Sequence, residues 1–384
     1  MRTPQAWGQP CPHPDCASAQ MIHRGNLRAI STSLTQSGKR RRCQCPTCGP
    51  PFAETRDTVF FDLKTPAEKG RRALKMLWGT VDLAGLSLGL GVTEDTGLAG
   101  LQRAAPKAAE IKAPLLRDLP VPPGQLDELW HCSARQHACE TDTAGASGPD
   151  SAAGRPGVWI SVAPALRVMS AAVVGPRTLD TAQGGVAATT ARGAGLPAFC
   201  SAGFPGDLAA RIAACHVVTT VASPGKRGRP RKPLCAPQPA LVSGQWGKQQ
   251  QPGPLLTRST RVVLGAARLT PLGFTISTAV VERGHLPVRQ AGAPLARQTA
   301  RCCKDRARRR QRVVFFQTFS TVARPHMRWR WSLPDPDHQV LGLLQPQWLP
   351  QTPAMAAGLP DHVWTFRELL TAKSEPIHNQ SSSG

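Results

Sequence analysis

Three short phrases in the middle of the chain carry side chains that could do chemistry: Gln125-Leu126-Asp127-Glu128, Cys200-Ser201-Ala202-Gly203-Phe204 and Val281-Glu282-Arg283. The first and third set a carboxylate at the end of an apolar run. The second has the same setting, a strand-like run turning at a glycine, but holds Ala202 where a carboxylate would complete a set. Phosphodiester cleavage and strand transfer use two divalent cations about 4 Å apart that clamp the attacking and leaving oxygens. Magnesium, a hard ion, takes carboxylate oxygens and water. One carboxylate on a first strand, one at the end of a neighbouring strand and one on a helix crossing the sheet would hold it. Asp127 fits the first role and Glu282 the third. Asp127 lies inside an apolar strand, where a charge needs a reason. A plainer reading competes, in which Asp127 caps a turn and Glu282 is a solvated helix residue.

A second constellation lies near the start of the chain. Cys11 and Cys16 form one close pair, and Cys45-x-x-Cys48 forms another beyond a basic turn, Gly38-Lys39-Arg40-Arg41-Arg42. Two thiolate pairs on tight knuckles are what a tetrahedral zinc ion requires. Gly49 suits the second knuckle turn. Cys43 is then spare, and His13 and His23 are alternative ligands. The competing reading is unligated cysteines in a disordered tail. A segment this small and polar has little else to fold around, which favours zinc.

A third motif, Pro224-Gly225-Lys226-Arg227-Gly228-Arg229-Pro230-Arg231-Lys232-Pro233, resembles an AT-hook. Pro230 keeps the core extended, and Gly228 lets the backbone lie deep in a narrow minor groove. Lys226, Arg227, Arg229, Arg231 and Lys232 would follow the negative potential of that groove. A solvated basic loop making phosphate contacts alone is the other reading, and both predict strongly salt-dependent DNA binding.

Several elements must position these groups. Thr65-Pro66-Ala67-Glu68 reads as a helix start, and Ala73, Leu74, Leu77, Val81 and Leu86 follow helical spacing. Leu90-Gly91-Val92-Thr93 predicts the turn and cap of a helix-turn-helix. Its recognition helix would span 94–105, with Leu98 and Leu101 inward and Gln102, Arg103 and Lys107 facing DNA. A plain helical hairpin fits the same pattern, and Gly85, Gly89, Gly97 and Gly100 weaken either by about 1 kcal/mol each in a helix interior. Strands are predicted at 126–130, 158–162, 168–174, 197–201 and 216–221. Helices are predicted at 178–192, interrupted at Gly184-Gly185, and at 208–214. A three-strand meander followed by alternating helix and strand argues an α/β domain with a mixed sheet. The stretch 222–260 breaks the pattern and reads as a basic insertion. A helix carrying Glu282 and a basic helix over 304–319 follow.

Composition narrows the partners. The 384 residues suffice for two or three domains, and 41% are apolar. The net charge of +23 favours a polyanion, nucleic acid first. The start of the chain has no apolar segment of secretory type, and no run is long enough to span a membrane. Twelve cysteines then read as metal ligands and buried thiols. The chain contains no tyrosine, and several of its 37 Pro and 35 Gly fall inside helical patterns, which suits an eroded reading frame.

From Cys11 to about Phe366 the chain resembles bacterial insertion-sequence transposases of the DDE type, close to the insertion sequence one family. The matching stretches, in order, are the two cysteine pairs, Gln125-Leu126-Asp127-Glu128-Leu129-Trp130, Ala172-Val173-Val174-Gly175-Pro176-Arg177-Thr178-Leu179 and the Ser201-x-Gly203 turn. Val281-Glu282-Arg283 with Leu286-x-x-Arg289, then Arg301-x-Cys303, then Ala323-Arg324-Pro325-His326 complete them. The resemblance implies a zinc knuckle over 1–60, a helix-turn-helix over 61–113, a linker over 114–124 and a ribonuclease H-like domain over 125–330. That domain would carry the basic insertion near 222–260, and a Pro-rich, partly disordered tail over 331–384 would follow it. It further implies double-stranded DNA as partner, magnesium at Asp127 and Glu282, and a bacterial cytoplasmic, nucleoid-associated protein, with self-association left open. Two departures stand out. The family has Asp where this chain has Ala202, and Asn where it has His285. Asp207, five residues on, is the alternative ligand, at a different backbone position that would aim its carboxylate elsewhere. The implied function is transposition with impaired catalysis. A non-catalytic DNA-binding protein and a functionless remnant are the alternatives.

Overall fold

The computed structural model describes residues 11–18, 27–35, 38–78, 81, 83–117, 119, 124–130, 156–176, 178–193, 198–202, 206–219, 234–237, 241–250, 256–268, 275–290, 306–332, 348–359 and 361–372. The chain divides into two compact units. One comprises Met1–Leu115, Gln290–Ala293 and Val314–Gly384, the other Leu116–Arg289 and Pro294–Val313.

In the first unit, β1 (Arg28–Thr35), β2 (Gly38–Gln44) and β3 (Pro51–Ala53) form an antiparallel sheet in that order. The basic stretch from Gly38 to Arg42, read from sequence as a turn, is strand: its residues pair across with Thr35, Leu34, Ser33, Thr32 and Ser31. Helices α1 (Ala67–Trp78), α2 (Leu83–Leu90) and α3 (Glu94–Leu115) follow. Gly91, at φ +56°, makes the predicted turn before α3, and the Thr93 hydroxyl accepts from the backbone N–H of Thr96 at 3.3 Å. α3 runs ten residues past the predicted end at 105. Ala104, Ala105, Ala108, Ile111 and Leu115 prolong its buried stripe, and tertiary burial outweighs the cost of Pro106 in the helix interior. Gly97 is a point of close approach: a Cβ there would meet Leu83 and Leu86 of α2 at 3.3 and 3.4 Å.

The remaining core of this unit comes from the far end of the chain. Helix α7 (Arg306–Val322) has its residues from Val314 onward in this unit, and α8 (Pro353–Ala356) and α9 (Phe366–Thr371) follow. The Trp78 ring stacks on Phe316 at 5.0 Å between centroids and meets Phe315 and Phe319 edge-on or tilted. Phe366 closes over Phe315 and Phe319. Leu369 and Leu370 are buried in the same cluster as Leu74, Leu101 and Ile111. Part of the Pro-rich stretch 331–384, expected to be partly disordered, is core, because α9 carries an apolar face and a complete capping box at Thr365 and Glu368.

The second unit is built on a mixed six-stranded sheet in the order β11-β10-β7-β4-β5-β6. Strands β4 (Gly124–Trp130), β5 (Pro156–Ala163) and β6 (Val168–Pro176) form an antiparallel meander. β7 (Ala198–Ser201) runs parallel to β4, and β10 (Val242–Gln250) parallel to β7. β11 (Leu256–Leu264) closes the edge antiparallel to β10. Two expectations are corrected here. The stretch 222–260 is not wholly an insertion, because β10 and the start of β11 complete the sheet. The strand at 216–221 is not part of that sheet: β8 (His216–Thr219) pairs with β9 (Leu234–Pro237) in a separate hairpin. Strand pairing across long separations left no period-2 signal in the Gln- and Gly-rich segment.

Helix α4 (Leu179–Thr190) starts at Thr178, whose hydroxyl accepts from the N–H of Thr181, and runs unbroken through Gly184-Gly185. Gly185 is buried where the helix crosses Trp159. Side chains alternate between the faces of a strand. Leu126, Trp159 and Phe199 pack with Ala182 and Val186 of α4 and Ala210 of α5 (Asp207–Ala214) on one face. The opposite face, carrying Gln125, Asp127 and Cys200, is served by α6 (Ala279–Gln290).

Candidate metal centre and carboxylate site

The four predicted cysteines converge. The Sγ atoms of Cys11, Cys16, Cys45 and Cys48 lie within 4.8 Å of one another, with Cys11–Cys48 at 3.5 Å and Cys16–Cys45 at 3.8 Å. All four are free thiols. A tetrahedron of sulfurs about 2.3 Å from a zinc ion has edges of about 3.8 Å, so the donor set fits that ion. Gly49, at φ +86°, donates its N–H to the Cys45 carbonyl and closes the second knuckle as expected. Burial pushes the Cys11 thiol up to about 12. Burial also opposes ionisation at Cys45, but the backbone N–H groups of Cys48 and Thr47 aimed at its sulfur prevail and bring it down to about 6. His13, an alternative ligand from sequence, places Nδ1 3.2 Å from the Cys48 sulfur and 3.6 Å from that of Cys11, within hydrogen-bond reach of both. Cys43 stays outside the set and joins Leu27 and Phe52 in the small core beneath it. His23 lies outside the described residues.

The carboxylate phrases also meet, by register. Gln125 pairs with Cys200 and Leu126 with Ser201 on the parallel strands β4 and β7. The ladder ends there, one residue before Asp127 on β4 and before the exposed Ala202 that follows β7. The pair Gln125 and Cys200 holds the start of α6. Gln125 Oε1 accepts from the N–H groups of Val280 and Val281, at 3.0 and 3.1 Å. These are helix-terminal donors with no partner within the helix. The Cys200 sulfur accepts from the backbone of Ser277. Along α6, Val281, His285 and Val288 form the buried stripe, and His285 Nδ1 lies 3.7 Å from Asp127 Oδ2. Glu282, one turn before His285, accepts a hydrogen bond from the Thr278 hydroxyl at 2.8 Å.

These residues do not fit a two-ion magnesium centre. Ala202 offers no ligand atom and is exposed. Among the described residues, the four cysteines alone gather three or more His, Cys, Asp or Glu ligand atoms within 4.8 Å. Sequence reasoning noticed His285 only as a departure and gave Gln125 no role. The spacing of three between Glu282 and His285 was a usable signal, since residues three apart share a helix face. The role of Gln125 depends on a contact 155 residues away and left no local signal.

The predicted DNA-contacting residues divide. Gln102 and Arg103 are exposed on α3, and Arg103 donates to the Phe61 carbonyl. Lys107 is mostly covered and pairs with Glu110 at 3.0 Å. Lys226, Arg227, Arg229, Arg231 and Lys232 lie outside the described residues, as do Gly203 and Cys303. Among the described residues no helix is long and apolar enough to cross a membrane. Comparison of the chain with known protein families, with curated protein sequences and with solved structures returns no match.

Proposed function

We propose that the chain is a DNA-binding protein on the plan of a DDE insertion-sequence transposase, with a ribonuclease H-like second unit whose carboxylate centre is incomplete. The observation that carries this reading is the β4–β7 register. It brings Leu126 beside Ser201, one residue before Asp127 and Ala202, and the helix that bears Glu282 also bears His285, 3.7 Å from Asp127. That is the frame of a three-carboxylate site with the middle ligand replaced. The meander followed by parallel strands and intervening helices supports the same plan. The helices α1 to α3, with a three-residue turn before α3, serve as the helix-turn-helix, and the net charge of +23 supplies attraction to duplex DNA. The complete cysteine set beside the incomplete acidic one favours binding over catalysis, so a regulatory role on insertion-sequence ends is the second reading.

The decisive assay is strand transfer of insertion-sequence-end DNA with Mg²⁺ or Mn²⁺. Wild type is expected to bind duplex with a steep salt dependence and to form no product. Ala202→Asp is expected to yield metal-dependent product that Asp127→Asn removes. Wild-type product abolished by Asp127→Asn would overturn the incomplete-site reading, and absence of duplex binding at low salt would overturn the DNA-binding one.

A further inference from the structure

The first unit displays an Arg–Trp ribbon with no part in either site. Strands β12 (Trp331–Ser332) and β13 (Trp348–Leu349) pair antiparallel, Trp331 opposite Leu349 and Ser332 opposite Trp348. Trp331 and Trp348 are each 50% exposed and Met327 is 70% exposed, whereas Trp159 is buried in a core. Arg330 lies over the Trp348 ring, its Cζ 4.3 Å from the centroid, and Arg328 lies over Trp329 at 5.8 Å. From Arg324 to Ser332 the sequence has three arginines and no acidic residue. The approach is held in shape. The His326 N–H donates to the Gln351 carbonyl at 2.8 Å, its carbonyl accepts from Trp329, and its ring nitrogen accepts from the N–H of Arg328.

Half-exposed indoles on a fixed ribbon carry a hydration cost that a partner would remove. An acid-free run of arginines selects a polyanion, and the flat indole faces select flat, unsaturated rings. One polymer alternates negative charge with exposed π faces: a nucleic acid whose bases are unpaired. A duplex hides those faces in its own stack. We infer that the β12–β13 ribbon is a binding surface for single-stranded nucleic acid. Bases stack on Trp348 and Trp331, and Arg324, Arg328 and Arg330 hold the phosphates. The pairing puts the two indoles on opposite faces, so each takes a base independently.

The test measures anisotropy of the full chain with a labelled oligo-dT of about 20 nucleotides, an abasic strand of equal length and a duplex of equal length. Wild type is expected to prefer oligo-dT over the abasic strand by about tenfold. Trp348→Ala and Trp331→Ala should each cut that preference severalfold without changing the salt slope. Arg330→Gln should lower the slope of log affinity against log salt by about 0.7. Trp348→Phe, with a smaller ring in the same place, decides the matter if the alanine variant fails to fold: it should weaken the preference, and an unchanged preference overturns the inference. Equal binding of oligo-dT and abasic strand overturns it, as does a preference untouched by the tryptophan changes. The ribbon stands apart from the transposase-like reading, because strand transfer and duplex recognition can fail while oligo-dT and abasic strand are still told apart.

Discussion

Cys200 and Gln125 stand side by side on β7 and β4, and each fixes the start of α6 through a group its neighbours leave open. Burial pushes the Cys200 thiol up to about 11, with the Ser277 backbone contact and the Arg211 charge offsetting part of that effect. The sign follows from the direction. The folded protein holds the proton more tightly than the unfolded chain, so the fold is favoured below the thiol's ordinary range near 9. That advantage is lost as pH climbs from about 9 towards 11, by about 1.4 kcal/mol per unit. Denaturant titrations across this window should show the loss in wild type and a flatter profile in Cys200→Ala. Equal slopes would remove Cys200 as the cause. Gln125→Ala strips two helix-terminal N–H groups of their acceptor at a buried position and should cost about 1–3 kcal/mol. Gln125→Glu keeps an acceptor and should cost less in the same unfolding measurement.

Among the described residues, the three-stranded sheet β1 to β3 has a small core of Leu27, Phe52 and its cysteines. Metal binding is therefore expected to supply most of its folding energy. One zinc per chain should be found by elemental analysis. Chelation, or Cys45→Ser, should unfold this sheet while the near-ultraviolet signal from the Trp78 cluster persists. A zinc-to-protein ratio near zero would remove the centre. Helix α3 carries Pro106 in its interior at an exposed position. Pro106→Ala restores a backbone donor and should raise stability by up to about 3 kcal/mol, read as an increase in Tm. A lower Tm would mean that the proline geometry is needed there.

At the scale of the molecule, the first unit is closed by segments at opposite ends of the chain. Leu369 and Leu370 of α9 pack with Leu74 and Leu101 of α1 and α3. Leu370→Ala, at 0% exposure, should cost about 2–5 kcal/mol, and thermal unfolding of the full chain should show it. A change below about 0.5 kcal/mol would mean that α9 is not part of this core. The site in the second unit has the same long-range character: a strand near residue 127 and a helix near residue 285 make one face.

The sequence by itself determined what depends on neighbours in the chain. The cysteine knuckles with Gly49, the cap and turn at Gly91–Thr93, the meander of β4 to β6 and the helix bearing Glu282 all carry local spacing, turn or capping signals. It also set the charge, and the alanine at position 202. The tertiary structure alone decided which strands lie beside which. It placed β10 within the sheet, excluded β8 from it, carried α3 past Pro106 and drew the far end of the chain into the first core. It also brought His285 to Asp127 and Gln125 to the start of α6. The physical reason is that burial and strand register reward pairings between residues more than 100 positions apart, and no periodicity within a window can encode them.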